Sequence, residues 1–522
     1  MDTSKIKAII VAIIALFAAL YLGISAATAQ FETIAWVLGG VTLSVCLLMG
    51  RKIWLLIPFL GSVELTLNIQ GQPSTMLLAQ ILVIGFSFLL LLMRRLPFRI
   101  RFTELELWII LLTLFIVQVY ARNPVGFSLF GTSSVGGKPY VLFLITLITA
   151  LLLAGLRVPP EELKTALRLS IFGGIINFGV SLVGRFVPSI GVWTGASHPG
   201  AGVTDYTNAG EAVDTGRATR EYFLVLFSRN LSLWISSYRS PLMACFHPIW
   251  APLVLITLVA AGLSGFRNAV ATVGLTYLVG ICYRGGFIQI VLSSLSGIVI
   301  LALLAIVNAV APFPPNLQRA LSFLPGSWEQ RYIDDAEGST EWRVEIWKEV
   351  LFTDRWINNK TFGDGLGFTA KELAYQASIT DGYKLGRGLS GFDFQRESIL
   401  ANGDYHSGPV QTIRIVGYSG LVVLLLFQIR LAVYAHRQII RCRGTEWFAL
   451  ALFFGIPLIW NPIFFIFIFG DFKSAATTVL LGSAMIRMLQ NNLPIPAWRP
   501  ARRQPFVLNQ KAFSSLPASE RN

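Results

Sequence analysis

The sequence predicts an all-α protein that crosses a membrane many times. Of its 522 residues, 54% are hydrophobic and 13% are charged, and the mean hydropathy is +0.63. A soluble domain carries roughly 25% charged residues, because water must wet its surface. Several apolar runs approach or exceed the roughly 20 residues that a helix needs to span a bilayer. The clearest runs are 6–22, 76–93, 105–120, 287–310 and 449–469.

Hydropathy and the distribution of basic residues predict about 12–14 transmembrane helices. When the amino terminus is placed inside, every strongly basic loop lies on the cytoplasmic side, as the positive-inside rule requires. The same assignment leaves two long segments outside, residues 189–219 and 312–408. The predicted spans are 6–27, 33–50, 53–69, 75–93, 104–120, 138–155, 167–188, 220–237, 246–264, 268–283, 286–311, 409–435, 446–469 and 474–490.

Two of these spans are weak, because each contains an ionisable residue. Glu64 lies in span 53–69 and Arg229 in span 220–237. A charge inside a membrane is costly unless it is paired or faces water. Glu64 is therefore expected either to pair with an intramembrane arginine or to lie in a short re-entrant segment. Span 220–237 is retained because the basic cluster 436–445 would otherwise lie outside.

The second outer segment differs in composition from the rest of the chain. It is rich in aromatic residues, and its apolar content is too high for a disordered linker. Trp342, Ile346 and Val350 stand at i, i+4, i+8, which predicts an amphipathic helix over 339–352. We expect an ordered extracytoplasmic cap. The predicted regions are a first transmembrane region over 1–311, the cap over 312–408, a second transmembrane region over 409–490 and a basic cytoplasmic tail over 491–522.

Other features of the composition exclude several classes of protein. The net charge of +14 comes from basic clusters between apolar runs, so it indicates cytoplasmic loops and not nucleic-acid binding. The apolar run 6–22 is predicted to be the first helix, with a cleaved signal peptide as the alternative. No carboxylate cluster has metal-ligand spacing, with Asp334, Asp335 and Asp404 as weak exceptions, so neither a metal nor a cofactor is expected. The four cysteines form no CxxC pair and indicate neither a metal site nor a disulfide framework; they are Cys46, Cys245, Cys282 and Cys442.

A histidine motif stands where the cap meets the next span. His406 and Ser407 are followed after nine residues by Gly417, and Gly420 completes a GxxG pattern. This arrangement resembles the signature of the O-antigen ligase and polymerase superfamily, in which a histidine and an Asn, Ser or Gln precede a GxxG. The large outer segment immediately before the motif also agrees with that family.

Three further motifs are similar to those of the same family. Arg343 with Trp347 resembles its Arg…Trp pair, and residues 363–367, which include Gly365 and Gly367, resemble its glycine-rich turn. Arg267 ends a small-residue-then-Arg motif and is predicted outside. Arg284 is a rival for this position, but the charge distribution places it inside.

One departure from the family pattern concerns the residues just before the GxxG. The family often has an acidic residue there, whereas this chain has Arg414 and Ile415. A charge about one and a half turns into a span is costly unless it is paired or faces water. We therefore expect Arg414 to line a pocket for the lipid pyrophosphate, and Arg229 is a similar candidate.

The resemblance implies a GT-C-like membrane enzyme in a bacterial inner membrane, with its active site facing the periplasm. Its donor would be a glycan on undecaprenyl pyrophosphate, and its acceptor would be lipid A–core or another glycan. His406 would activate the acceptor hydroxyl, because histidine ordinarily titrates near neutral pH. Arg267 and Arg343 would hold the pyrophosphate, since arginine grips phosphate oxygens bidentately. Gly417 and Gly420 would let their helix pack closely against a neighbour.

Four functions therefore stay open at this stage. The first is an inverting, metal-independent O-antigen ligase, and the second is a polymerase of O-antigen or exopolysaccharide. A protein O-oligosaccharyltransferase is the third. A transporter of lipid-linked sugars belongs to a different class, and it would not need a large ordered cap with a histidine at its edge.

Overall fold

The computed structural model describes residues 40, 44–67, 72–99, 101–125, 136–187, 191, 221–384, 391–403 and 405–494. Four predictions concern residues outside these ranges. They are span 6–27, most of span 33–50, the outer segment 189–219 apart from Gly191, and the basic tail beyond residue 494.

All the regular elements of the described residues are helical, and these residues contain no β-strand apart from isolated bridges. A 3₁₀ turn, Gly50–Leu55, leads into the first helix. The helices are α1 Leu56–Val63, α2 Thr75–Leu92, α3 Glu104–Arg122, α4 Lys138–Gly155, α5 Pro160–Phe186, α6 Tyr222–Tyr238, α7 Pro241–Ala244, α8 Trp250–Leu263, α9 Arg267–Arg284, α10 Gly286–Val310, α11 Pro315–Leu321, α12 Gln330–Phe352, α13 Ala370–Lys384, α14 Gly391–Asn402, α15 Gly408–Cys442, α16 Phe448–Phe467 and α17 Phe472–Asn492.

Eight described helical stretches are long and apolar enough to cross a membrane. They are Ser44–Val63, which includes the 3₁₀ turn and α1, together with α2, α3, α4, α5, α10, α15 and α16. The chain is thus an all-α protein of the multi-pass membrane type. The predicted spans 220–237, 268–283 and 474–490 also form helices, namely α6, α9 and α17.

Some predicted spans differ by several residues from the helices that form there. Helix α5 begins seven residues before span 167–188, and α15 ends seven residues after span 409–435. Two other spans are shortened. Span 53–69 ends at Val63, because Glu64 adopts the left-handed conformation (φ 48°) and its carboxylate pairs with Arg229 at 2.8 Å. Span 246–264 begins late, at Trp250, after a turn. Pro248 explains the delay, since the residue before a proline is disfavoured in a helix.

The centre of the bundle is α15, the longest described helix. It packs along α16 and also contacts α3 and α17. Its buried stripe includes Leu424, Phe427, Leu431 and Ala435, spaced so that they share one face of the helix. This packing fixes the position of α15 in the bundle. It therefore also fixes the position of His406, which lies next to the amino-terminal end of α15.

The loops predicted to be cytoplasmic lie together at one end of the bundle. Arg487 of α17 is buried, and its Nε donates to Glu106 of α3 at 2.9 Å. Its Nη2 donates to the carbonyl of Arg101 at 3.0 Å. Arg157, before α5, donates to the carbonyl of Asn491 at 3.3 Å. These contacts join the loops that precede α3 and α5 to the carboxyl end of α17.

The segment predicted as the cap builds a small core on the other end of α15. Ile346 and Val350 of α12 are fully buried, together with Leu400 of α14. They pack against Val410 and Ile413 in the first turns of α15. The predicted amphipathic helix 339–352 is confirmed as part of α12, which begins earlier, at Gln330.

Candidate functional site

His406 lies in the short connection between α14 and α15. Its backbone adopts φ 49°, a left-handed conformation that is uncommon for a residue other than glycine. The half-buried imidazole ring lies between two aromatic side chains, with its centroid 5.9 Å from Trp342 and 6.4 Å from Phe469. Strained backbones of this kind cost of order 1–3 kcal/mol and cluster at functional sites.

Two neighbouring residues explain how His406 is held. Ser407 is the N-cap of α15, and its hydroxyl accepts a bond from Val410 N at 3.5 Å. Trp347 Nε1 donates to the carbonyl of Tyr405 at 2.8 Å. The capping function therefore belongs to Ser407, and Trp347 anchors the chain one residue before the histidine. The chain on either side of His406 is thus held by α12 and by the first turn of α15.

Arg343 follows Trp342 on α12 and carries a partly buried charge. Its Nε is shielded from water and has no hydrogen-bond partner, and it forms no ion pair with the described residues. Burial, together with the charge of Arg319, lowers the pKa of its guanidinium. Arginine nevertheless stays protonated in proteins. An anion bound beside Arg343 would offset the cost of burying this charge.

Arg267 and Arg319 lie where the α8–α9 turn meets α11. Arg267 Nη2 is 3.4 Å from Ser322 Oγ, and Arg319 Nη1 donates to the carbonyl of Gly265 at 2.6 Å. The charge of Arg319 also acts on the guanidinium of Arg343. We call Arg267, Arg319 and Arg343 the arginine cluster.

Sequence reasoning missed Arg319. A signal for it exists, since it stands in a segment predicted to be outside, where the positive-inside rule does not favour arginine. Two of the cluster's members, Arg267 and Arg343, were predicted from the family motifs.

The amino-terminal end of α6 links the arginine cluster to the region of His406. The ring of Tyr222 lies 6.3 Å from that of Phe266, which directly precedes Arg267. Tyr222 also interacts electrostatically with Asp471, two residues after the Phe469 that contacts His406. The ring contacts place the start of α6 beside the start of α9, and the residues after α16 beside His406.

Gly417 breaks α15 shortly after the histidine. Its backbone, at φ 75° and ψ 179°, is not helical. Beyond the break, Tyr418 N donates to the carbonyl of Lys360 at 2.8 Å and Ser419 N to that of Thr361 at 3.2 Å. Close packing against a neighbouring helix was predicted, but at Gly417 the close neighbour is the backbone of residues 360–362. A Cβ added at Gly420 would first meet Val416 of the same helix, at 2.4 Å, and would lie at an ordinary contact distance of 3.5 Å from Phe115 of α3.

The glycine-rich turn, residues 363–367, fits into this break together with residues 360–362, which precede it. Asp364 N donates to the carbonyl of Arg414 at 2.6 Å, and Gly365 N to that of Ile415 at 3.1 Å. A Cβ at Gly365 would lie 2.6 Å from Tyr140 Oη, and one at Gly367 would lie 2.3 Å from a backbone carbonyl. The turn is therefore a structural element that joins the cap segment to α15 and α4.

Arg414 does not have the position that was predicted for it. Its side chain is buried, and its Nη2 pairs with Glu372 Oε1 at 3.1 Å. The guanidinium also stacks over the ring of Phe368, 4.4 Å from the centroid. A charge that is already paired has little to offer a pyrophosphate, so we assign Arg414 to holding α13 against α15. Arg229 is likewise paired, with Glu64.

Arg284 lies at the other end of the bundle from His406. Its Nε donates to the carbonyl of Ser236 at 3.1 Å, and its guanidinium lies 4.9 Å from the ring centroid of Phe448. Phe448 begins α16, whose far end leads to Phe469 beside His406. Twenty residues of helix span about 30 Å. Of the two rival arginines, Arg284 is thus the one at the far end of the bundle from the histidine.

Comparison with models of known protein families finds no match for this chain, and no curated protein matches it. The resemblance of the histidine motif to the O-antigen ligase and polymerase superfamily therefore stays a prediction. In the described ranges, no group of three or more His, Cys, Asp or Glu side chains is placed to hold a metal ion. The described site combines one imidazole with clustered guanidinium groups, a set suited to proton removal beside a bound anion.

Proposed function

We propose that this protein is a membrane glycosyltransferase of the O-antigen ligase type, with a GT-C-like fold. It transfers a glycan from undecaprenyl pyrophosphate to a hydroxyl group of lipid A–core at the periplasmic face of the inner membrane. The observation that supports this most strongly is the placement of His406 next to α12, which carries the partly buried Arg343, unpaired among the described residues. Residues 312–408 would then form the extracytoplasmic cap over the site.

The proposed reaction is a single displacement at the anomeric carbon. The acceptor oxygen forms a bond to that carbon while the bond from carbon to pyrophosphate oxygen breaks, which inverts the configuration. His406 takes the proton of the acceptor hydroxyl as general base. The departing pyrophosphate gains negative charge, and the arginine cluster stabilises it there. These guanidinium groups supply positive charge on the leaving-group side, so the proposed mechanism does not require a metal ion.

Replacing Arg343 by glutamine is expected to raise the KM for the lipid-linked donor by about 10- to 100-fold. A hydrogen bond to a charged group contributes roughly 1.5–3 kcal/mol, and 1.4 kcal/mol corresponds to a factor of ten. The matched control is Arg331→Gln, on the same helix, since Arg331 is more than half exposed and pairs with Glu329. Steady-state kinetics at varied donor concentration provide the measurement. Equal KM values for the two variants would contradict a phosphate-binding role for Arg343.

A glycan profile of a deletion strain tests the proposed function as a whole. Lipid A–core without glycan, rescued by the wild-type protein and accompanied by accumulated lipid-linked polymer, is the result expected for a ligase. Core that carries a single repeat would indicate a polymerase of the same superfamily. Loss of glycan from proteins would indicate an O-oligosaccharyltransferase. No change in any surface or secreted glycan would contradict the enzyme proposal.

A further inference from the structure

A polar cavity of about 360 Å³ lies between two helices of the cap segment. The side of α13 that faces it includes Gln376, Ala377 and Thr380, which share one helical face by their i, i+1, i+4 spacing. From α14 it is lined by Ser398 and Asn402, which are four residues apart. This volume lies within the range of roughly 300–1,000 Å³ that is usual for small-molecule sites.

The lining of this cavity combines hydrogen-bonding groups with an apolar surface. Gln376 Nε2 donates to the carbonyl of Ala401 at 2.9 Å, which ties α13 to α14 and keeps the cavity walls together. Amide, hydroxyl and carboxylate groups of the other polar residues border the space. Leu373 and Ile379 add apolar surface. A sugar ring has the matching character, because its hydroxyl edges form hydrogen bonds and its C–H faces are apolar.

The charge of the cavity lining indicates which kinds of sugar can bind. Among the described residues, Asp381 is the one charged residue that lines the cavity, and it forms no hydrogen bond or ion pair with the others. An unpaired carboxylate repels phosphates and acidic sugars, and it accepts strong hydrogen bonds from hydroxyl or amino groups. The cavity is therefore suited to a sugar without acidic groups, and it is chemically different from the arginine cluster.

The cavity lies within a short distance of His406, because one of its lining residues is close to the histidine in the sequence. Asn402 lines the cavity and ends α14, four residues before His406. Four residues of fully extended chain span at most about 14 Å. A short oligosaccharide covers such a distance, so one glycan can occupy the cavity and still reach the histidine.

We propose that the cavity between α13 and α14 is a binding site for a neutral or amino sugar of the glycan, away from the bond that is made. The choice of carbohydrate rests on the proposed function, whereas the mixed polar and apolar lining, without a positive charge among the described lining residues, is a property of the structure. The sugar belongs either to the donor glycan or to the acceptor.

A substitution that fills the cavity tests this site without removing any polar group. Ala377→Leu places a larger side chain in the cavity, and Ala374→Leu is the matched control, because Ala374 is exposed on the same helix and does not line the cavity. The full-length protein is purified in lipid nanodiscs. The probe is oligosaccharide released by mild acid from the lipid-linked glycans of the cells that make the protein, and binding is measured by titration calorimetry.

We expect Ala377→Leu to raise the Kd for this oligosaccharide at least tenfold, and Ala374→Leu to leave it within twofold of wild type. In transfer assays, a higher KM for the donor or for the acceptor identifies the source of the sugar. Absence of binding to the wild-type protein, or equal Kd values for the two alanine variants, overturns this site. Either result leaves the proposed transfer to be judged by the deletion strain.

Discussion

Replacement of His406 by alanine is expected to lower glycan transfer by about 10²- to 10⁴-fold, the usual contribution of a general base. The loss should appear in kcat, because the imidazole acts on the proton of the acceptor hydroxyl as the new bond forms. The rest of the site should stay in place. Ser407 still caps α15, and the bond from Trp347 to the carbonyl of Tyr405 does not involve the histidine.

A second variant separates the effect of losing the general base from the effect of changing the backbone conformation at position 406. Asparagine adopts the left-handed region more readily than alanine, so His406→Asn keeps the φ of 49° without a group that removes a proton. The matched control is His436→Ala, at the opposite end of α15, where Nδ1 lies 2.6 Å from Tyr283 Oη. The control should transfer as wild type does. If His406→Asn kept more than a tenth of wild-type transfer, a general base would be the wrong role, and a transporter would become the better explanation.

Substitution of Gly417 by alanine is expected to lower the free energy of unfolding by about 3 kcal/mol or more. The conformation at φ 75° and ψ 179° is accessible to glycine but strained for every other residue. In addition, the new Cβ would lie 2.2 Å from the carbonyl oxygen of Thr361. That carbonyl cannot move away easily, because it accepts bonds from both the amide and the hydroxyl of Ser419.

The matched control for this prediction is Gly85→Ala in α2. An added Cβ at Gly85 would meet nothing within 4 Å, and alanine is favoured over glycine inside a helix by about 0.5–1 kcal/mol. Unfolding by sodium dodecyl sulfate titration in mild detergent measures both variants. If the two variants unfolded with the same free energy, the prediction would be wrong. The contact between Gly417 and the backbone of Thr361 would then contribute little to stability. Transfer should fall with Gly417→Ala, since the kink determines the direction of the turns beside His406.

Local patterns in the chain predicted most of the helices. Span 138–155 coincides with Lys138–Gly155, and span 75–93 differs from Thr75–Leu92 by a single residue. Apolar runs of this length form helices because the backbone must satisfy its own hydrogen bonds in the membrane. The histidine motif was also visible, as was the pairing of Arg343 with Trp347 on one helix. These features depend on residues that are close in sequence.

The sequence by itself determined the helical membrane class, most span positions and the place of the histidine motif at the start of α15. The tertiary structure decided what the charged residues do. Arg414 pairs with Glu372, 42 residues earlier, and Arg229 pairs with Glu64, 165 residues earlier. The break at Gly417 likewise depends on a turn more than fifty residues away in the chain. Hydropathy and spacing are local properties, whereas the partner of a buried charge depends on which distant segments pack together.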